Sequence, residues 1–279
     1  MNYKFNYKFY TTFYPDIKIE DFDMDQAISH YNTSGIKEKR VCCEEELKDI
    51  INTNLLLIKT QHIKLLNFNF KNVNERKLNI LIRTSMRPEY FKLCIESILS
   101  QKYENYCIFV CYDKIESLSY LNLYKNNNIN LTTFFINNDS NEKYKFNLYN
   151  NELMNKVDDG FIIFLDDDDV FTHNMCFKII NEYIINCDSI LIWKFMRPDK
   201  LVYPKHINDI KIGEIDTTMI CFHNKYKNLA KWGDKKCGDY YFYNSLFTAL
   251  KDLNKFNITK LNYVLTKTNY LDKLCNSFF

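Results

Sequence analysis

Short apolar runs alternate with amphipathic segments through the middle of the chain. Strands are predicted for four runs that are too short for a buried helix: residues 78–82, 107–111, 131–137 and 160–165. Helices are predicted between them at residues 88–99, where Pro88 suits the first turn, and at residues 144–156. Strands that alternate with helices predict an α/β fold with a mostly parallel central sheet flanked by helices.

The beginning of the chain has a different pattern. Residues 1–45 contain an aromatic stretch with a proline turn, followed by helical spacing at Ala27, Ile28 and Tyr31. Gly35 is a suitable stop for this helix. The pattern predicts a small helical module.

Apolar spacing at residues 44–70 predicts one or more amphipathic helices, which end before a polar connector at residues 72–77. Polar connectors of this kind are typical of domain boundaries. The predicted organisation is therefore a helical N-terminal module with linker helices over residues 1–76, followed by a Rossmann-like α/β domain over residues 77–279.

Composition narrows the class of protein. The chain has 279 residues, of which 46% are hydrophobic, and 37 Lys and Arg against 35 Asp and Glu leave a net charge of +2. This balance gives no electrostatic basis for binding nucleic acid or an acidic membrane. The ten cysteines lie mostly in apolar segments without CxxC spacing, which favours buried thiols in a reducing compartment. Without an apolar leader or a run of about 18 apolar residues, we expect a soluble, cytoplasmic protein with no transmembrane segment.

The predicted strand at residues 160–165 ends in four consecutive carboxylates, residues 166–169. Carboxylates this close raise one another's pKa unless a cation compensates them, and carboxylate oxygens suit Mg²⁺ or Mn²⁺. The alternative is a solvated acidic turn or an acidic cap at the N-terminus of a following helix. Thr84 and Asp113 also follow predicted strands, and parallel sheets bind ligands at the carboxyl ends of their strands. The arrangement favours a metal and ligand site.

Three ordered motifs resemble those of the GT-A glycosyltransferases, specifically the family 2-like group. They are ILIRTSMRPEYFKLCIESILSQ, IFVCYD and FLDDDD, at residues 80–101, 108–113 and 164–169. A second pattern resembles a short unit found beside glycosyltransferase domains, and its matching residues are Tyr14, Pro15, Asp16, Ile17, Ala27, His30, Tyr31, Gly35, Glu38 and Arg40. His30 is interpreted as a packed or capping histidine, because no second type of metal ligand accompanies it.

The resemblance implies a donor nucleotide site. Thr84 and Arg87 would lie beside the base or its ribose, and Asp113 would accept a hydrogen bond from a uracil ring. Asn151 falls near the Arg-Asn position that precedes the acidic strand in the family. These four residues, with Asp166, are the predicted nucleotide-binding residues.

The resemblance also implies a Mn²⁺ or Mg²⁺ cofactor. Asp166 would face the ribose or the metal and Asp168 would bind the metal directly, whereas Asp167 and Asp169 would be supporting or capping groups. His223 would be a third metal ligand or a diphosphate contact, and the alternative is an ordinary buried histidine.

The second half of the chain supplies the candidate base and acceptor residues. The resemblance implies that Asp239 is the catalytic base, with Gly238 where the family has Glu, and Asp234 is the alternative. Asp239 is also a possible N-cap of the following helix. Asp216 would face the acceptor sugar, and Trp232 would either stack on a sugar or pack in the core.

The expected function is a metal-dependent, inverting and non-processive transfer of a sugar from a nucleotide sugar, with UDP-sugars favoured, to a glycan or another hydroxyl acceptor. Two departures, Arg83 in place of Pro and Tyr112 in place of the first paired acid, leave the donor base open. The alternatives are a nucleotidyltransferase acting on sugar phosphates and an inactive GT-A-like carbohydrate-binding protein. The former usually has a glycine-rich phosphate loop, which RTSMRPEY lacks.

Overall fold

The computed structural model describes residues 3–14, 17, 21–37, 40–66, 68–71, 74–125, 130–137, 142–205, 212–254 and 257–268. Contacts between residues divide the chain into two compact units, Met1–Lys59 and Thr60–Phe279. The domain boundary predicted between residues 76 and 77 stays a prediction, because compactness alone does not show which segment folds by itself.

The first unit is helical. Its helices are α1 (Tyr7–Phe13), α2 (Met24–His30) and the beginning of α3 (Glu44–Leu66). Tyr10, Ile17 and Ala27 form a small buried core. The Tyr10 hydroxyl lies 3.1 Å from Nδ1 of His30, so this histidine packs against the core, as predicted. Three residues of the N-terminal pattern lie outside the described residues: Pro15, Asp16 and Glu38.

The second unit is an α/β domain. Its strands are β1 (Leu78–Thr84), β2 (Tyr106–Tyr112), β3 (Leu131–Phe135), β4 (Phe161–Phe164), β5 (Val170–Phe171), β6 (Ile190–Met196), β7 (Val202–Tyr203), β8 (Ile220–His223) and β9 (Ile258–Lys267). Its further helices are α4 (Pro88–Leu99), α5 (Leu118–Lys125), α6 (Lys145–Asn155), α7 (Cys176–Tyr183) and α8 (Gly238–Asp252). Every strand and helix predicted between residues 78 and 165 is present.

The strands form one sheet in the order β3-β2-β1-β4-β8-β6-β9-β5, with β7 paired to β6. The first four strands are parallel, whereas β8 is antiparallel to both β4 and β6. All four residues of β4 are buried, and so are six of the seven in β1, as expected for parallel strands covered on both faces. The predicted α/β fold is confirmed, and parallel pairing predominates in its first half.

Two findings on the described residues bear on the expectations from composition. None of the described helices is long and apolar enough to cross a membrane. The cysteines in the described part of the chain are free thiols, and most of them are buried, as predicted.

Gly160 determines how β4 begins. Its φ is +92°, and a Cβ atom at this position would lie 2.5 Å from the carbonyl oxygen of Lys77. That carbonyl accepts the backbone N–H of Phe161 at 2.8 Å, which is the first hydrogen bond between β4 and the chain entering β1. The close approach therefore aligns the strand that precedes the four carboxylates.

We predict that Gly160→Ala lowers the free energy of unfolding by about 3 kcal/mol, because alanine must adopt a positive φ and its methyl group meets backbone. Gly213→Ala is the matched control. Its φ is +82°, but no described atom lies within 4 Å of the added methyl group, so a loss of about 1 kcal/mol is expected. Urea unfolding followed by circular dichroism measures both, and equal losses would show that the contact with Lys77 is unimportant.

Candidate donor and catalytic site

The acidic cluster lies at the carboxyl edge of the parallel strands. Strand β1 is in the middle, paired with β2 on one side and β4 on the other, and Thr84 at its end pairs with Tyr112. This register brings Thr84, Asp113 and Asp166 to the same edge of the sheet. Ligands of open α/β sheets bind at this edge.

A pocket of about 310 Å³ opens there. Its lining residues come from the strand ends, from α6 and from the segment before β8: Arg83, Thr84, Ser85, Arg87, Asp113, Phe146, Tyr149, Asp166, Asp168, Asp169 and Asp216. The volume is at the lower end of the range for small-molecule sites. The lining combines five carboxylates with two guanidinium groups, so the pocket is suited to a ligand that has both cationic and anionic parts.

Asp167 lies behind the residues that line the pocket and binds two of them, Thr84 and Arg87. Its side chain is fully buried and accepts hydrogen bonds from the Thr84 hydroxyl at 2.6 Å and from Nε of Arg87 at 3.1 Å. Burial raises the pKa of Asp167 to about 7, although Arg87 and the Thr84 hydrogen bond oppose the rise. The Tyr120 hydroxyl lies 2.8 Å from that of Thr84 and extends the network. Asp167 therefore orients Thr84 and Arg87 at the pocket wall.

Arg83 pairs with Asp166 through two hydrogen bonds. Nε lies 2.7 Å from Oδ1 and Nη2 lies 2.7 Å from Oδ2, so the guanidinium and the carboxylate face each other as planar groups. Arg87 makes a similar compensating contact with Asp168, at 3.1 Å. Four carboxylates against two guanidinium groups leave a formal charge of −2 on the cluster.

Three of the four acids form a candidate metal centre. Asp166, Asp168 and Asp169 offer oxygen atoms that all lie within 4.8 Å of one another. Burial raises the pKa of Asp168 and the nearby Asp166 adds to the rise, whereas Arg87 opposes it. The structure thus adds Asp169 to the candidate ligands Asp166 and Asp168. The helix-cap alternative is wrong, because β5 follows the acids directly and α7 begins only at Cys176, whereas the four acids do form a turn, closed by the Asp169 N–H onto the Asp166 carbonyl.

Asp113 presents an unused acceptor. Its Oδ2 accepts a hydrogen bond from the Tyr149 hydroxyl at 3.0 Å, whereas its buried Oδ1 has no partner among the described residues. Burial raises the pKa of the Tyr149 hydroxyl, so it stays protonated and continues to donate. Buried acceptors without partners are rare in folded proteins, so Oδ1 is suited to an N–H group of a ligand.

Asp216 lies in the segment before β8 and lines the pocket. Its Oδ1 accepts the backbone N–H of Thr218 at 3.0 Å. Burial raises the pKa of Asp216 to about 7; the Thr218 amide opposes the rise, and the negative charges of Asp166 and Asp239 add to it. The two halves of the domain therefore bring their carboxylates within electrostatic range of one another.

Asp239 lies in the first turn of α8, where Oδ1 accepts the neighbouring backbone N–H of Tyr240 at 2.8 Å. Burial raises the pKa of Asp239, which makes it a stronger base than an exposed carboxylate. It is not the N-cap, a position that Cys237 occupies in a left-handed conformation. A side chain at Gly238 would meet the amide group of Asn147, so the glutamate of the family pattern has no space here.

Comparison with known proteins identifies the domain. The model of the family described as glycosyl transferase family 2 matches residues 80–249, which is more than half of the chain. The chain belongs to glycosyl transferase family 2. No curated protein matches it. The predicted resemblance to family 2 enzymes of the GT-A type is confirmed.

Solved structures show the same fold at low sequence identity. For residues 1–349 of S. aureus TarS, the TM-score is 0.56 and the identity 15%, over 72% of this chain and 65% of that one. The same TarS fragment with UDP-GlcNAc gives a TM-score of 0.54, with 15% identity over 69% and 58% of the two chains. A Pyrobaculum calidifontis mannosyltransferase, PcManGT, with GDP-Man and Mn²⁺ gives 0.54 with 9% identity over 84% and 70%. This family 2 chain spans less than two thirds of the TarS fragment.

Two of the predicted site residues that do not line the pocket, Asn151 and Trp232, bind each other. The amide group of Asn151 donates to the Trp232 carbonyl and accepts the Trp232 N–H, both at 2.9 Å. Trp232 is 2% exposed, and its ring stacks on Phe242 with 4.7 Å between centroids. The structure therefore corrects the nucleotide role of Asn151 and the sugar-stacking role of Trp232. Together they fasten the loop before α8 to α6.

Two other candidates have partners elsewhere. His223 pairs with Phe161 at the beginning of β4, the end opposite to the acids, and its Nε2 lies 4.0 Å from Asp159. This position corrects the expectation that His223 binds the metal or the diphosphate. Asp234 accepts the backbone N–H of Tyr144, which precedes α6. Asp234 thus has a structural contact. Asp239 does not line the pocket either, but Asp166 adds to the rise in its pKa and its own charge adds to the rise at Asp216, so it lies within electrostatic range of both.

Two pocket residues on α6 of this family 2 domain were not predicted from the sequence. Phe146 is 44% exposed although it lines the pocket, and Tyr149 orients Asp113. Their spacing of three residues places both on one face of the helix, which was a detectable signal. The helix was predicted, but nothing local showed which of its faces meets the strand ends.

We predict that Asp216→Asn stabilises the metal-free protein at pH 8 by about 1–3 kcal/mol. The folded-state pKa of Asp216, about 7, lies above its ordinary value of 3.8. Stability from this group is therefore lost as the pH rises from about 4 to 7, whereas Asn cannot ionise and can still accept the Thr218 N–H.

The gain should vanish near pH 4, and thermal unfolding in EDTA at several pH values measures it. Asp158→Asn is the control, because it removes the same charge at an exposed position. A gain at Asp216 that does not depend on pH would contradict the prediction.

Proposed function

We propose that this family 2 domain is a metal-dependent, inverting and non-processive glycosyltransferase. It moves a sugar from a nucleoside diphosphate sugar, with UDP-sugars favoured, to a hydroxyl group of a glycan or another acceptor. The observation that supports it best is the shared pocket at the strand ends, where Asp113, the acidic cluster and Asp216 meet beside Asp239.

The donor nucleotide would bind at the ends of β1 and β2. The free Oδ1 of Asp113 is suited to accept an N–H of a base such as uracil, since Tyr149 already occupies the other oxygen. Thr84 and Arg87 line the same wall and are oriented by Asp167. That similar structures were solved with UDP-GlcNAc and with GDP-Man supports a nucleotide sugar as the ligand class.

Asp166, Asp168 and Asp169 would hold the metal. Their donor atoms are all carboxylate oxygens, as Mn²⁺ and Mg²⁺ prefer, and the formal charge of −2 on the cluster matches one divalent ion. A bound divalent ion stabilises the negative charge that develops on a leaving diphosphate. The Mn²⁺ in the PcManGT structure supports the same choice.

Asp239 would act as the general base. Its carboxylate takes the proton of the acceptor hydroxyl as that oxygen attacks the anomeric carbon, and attack opposite the leaving group inverts the centre. Burial raises the pKa of Asp239 and so makes it a better proton acceptor. Asp216 lines the pocket nearby and would orient the acceptor through its carboxylate.

We predict that Asp239→Asn lowers transfer at least about a hundredfold and leaves UDP affinity within about threefold of wild type. Release of UDP from UDP-sugars, with water or a panel of glycans as acceptors, measures transfer, and calorimetry measures affinity. Asp234→Asn is the matched control, because its amide oxygen can still accept the Tyr144 N–H. Full activity of Asp239→Asn, or its loss in Asp234→Asn alone, would reverse the assignment of the base.

We also predict that UDP and Mn²⁺ together raise the melting temperature of the wild type by several degrees, more than either alone, and that EDTA abolishes the gain.

Asp113→Asn should weaken UDP binding about tenfold, because the charged acceptor for the N–H group of the uracil ring is lost. Thermal shifts with UDP, GDP and dTDP, each with and without Mn²⁺, provide the measurement. If UDP binds equally well in EDTA and to Asp113→Asn, the proposed donor site is wrong.

A further inference from the structure

Several groups of the protein hold Arg83 in place. Besides its two bonds to Asp166, its Nη1 donates to the carbonyl oxygen of Phe146 at 2.9 Å and to Oδ1 of Asn147 at 3.3 Å. The guanidinium carbon lies 4.9 Å from the centroid of the Phe146 ring. Its side chain is only 12% exposed, yet it lines the pocket. Arg83 is therefore a fixed cation in the wall of the candidate donor site.

The partners of Arg83 are fixed as well. The amide nitrogen of Asn147 donates to the carbonyl oxygen of Lys235 at 2.9 Å, and Gly238 lies against the same amide group. Four of the five guanidinium N–H groups have acceptors, because Nε and Nη2 each bind Asp166 and Nη1 has two partners. Any other position of the guanidinium would give up some of these bonds, so together they hold its charge beside Asp166.

This charge has opposite consequences for the two ligands of the site. A positive charge within one side-chain length of a divalent cation opposes its binding about tenfold, even at the dielectric constant of water. The same charge favours a diphosphate, which brings negative charge to the pocket. Both carboxylate oxygens of Asp166, a member of the candidate metal centre, accept hydrogen bonds from Arg83.

We propose that Arg83 is a resident counter-cation of the donor site, which weakens binding of a divalent metal to the empty pocket and strengthens binding of the nucleoside diphosphate. Metal binding then depends on the nucleotide, whose negative charge offsets that of Arg83. The inference rests on the proposed donor site, but it concerns binding alone and needs no turnover.

The test measures two affinities on the full chain. Mn²⁺ binding without nucleotide is followed by the electron paramagnetic resonance of free Mn²⁺, and UDP binding in EDTA by calorimetry. We expect Arg83→Gln to bind Mn²⁺ about tenfold more tightly than wild type and UDP about tenfold more weakly. Arg83→Lys keeps the charge and should stay within about threefold of wild type for both. Arg76→Gln removes the same charge at an exposed position outside the pocket lining and should change neither.

The opposite changes separate this role from a structural one. If Arg83 only orders Asp166, its loss weakens both ligands, and that result overturns the proposal, as does an unchanged or undetectable Mn²⁺ affinity in Arg83→Gln. A Lys variant that binds Mn²⁺ as tightly as the neutral variant overturns it too. Arg83→Met serves as the neutral variant if Arg83→Gln does not fold, since its unbranched chain can lie along Phe146. Failure of the proposed function appears separately, as absence of UDP release from any sugar donor by wild type.

Discussion

Four consecutive carboxylates at the end of a strand buried on both faces are the constraint on which the rest of this domain depends. Without compensation they would repel one another and take up protons. Two arginines compensate them: Arg83, in β1, and Arg87, three residues after its end. Both lie at the same edge of the sheet and pair with the acids. Since β1 and β4 are adjacent and parallel, the opposite charges meet at the strand ends without a long connecting loop.

The compensation also links the two halves of the domain. Arg83 contacts Asp166 on one side and Asn147 on the other, and Asn147 reaches the Lys235 carbonyl just before α8. A continuous series of contacts therefore runs from the candidate metal centre to the turn that holds Asp239. The absence of a side chain at Gly238 is part of this series, because Asn147 fills that space. The acids of the candidate donor site and the candidate base Asp239 thus share one network of supporting contacts.

Local sequence patterns predicted the first half of the domain because each of its strands and helices has a clear apolar pattern of its own. The apolar runs became β1 to β4, and the rule for strand ends brought Thr84 and Asp113 to the acids. The second half depends on partners distant in sequence. Asn151 binds the backbone of Trp232, 81 residues away, and nothing in either local pattern shows that contact. The direction of β8, which puts His223 at the far end of β4, is likewise a property of the sheet and not of the segment.

The positions of the four acids do not follow a simple alternation of side chains. Alternation along an extended chain would put Asp166 and Asp168 on the pocket side and Asp167 behind them, which is where the structure has them. Alternation would also place Asp169 behind, as a supporting group. The backbone N–H of Asp169, however, donates to the carbonyl oxygen of Asp166 at 3.0 Å, which closes a turn over the four acids. The turn returns the fourth carboxylate to the side of the first, so the candidate three-carboxylate set is a product of that turn and of the register of β4 together.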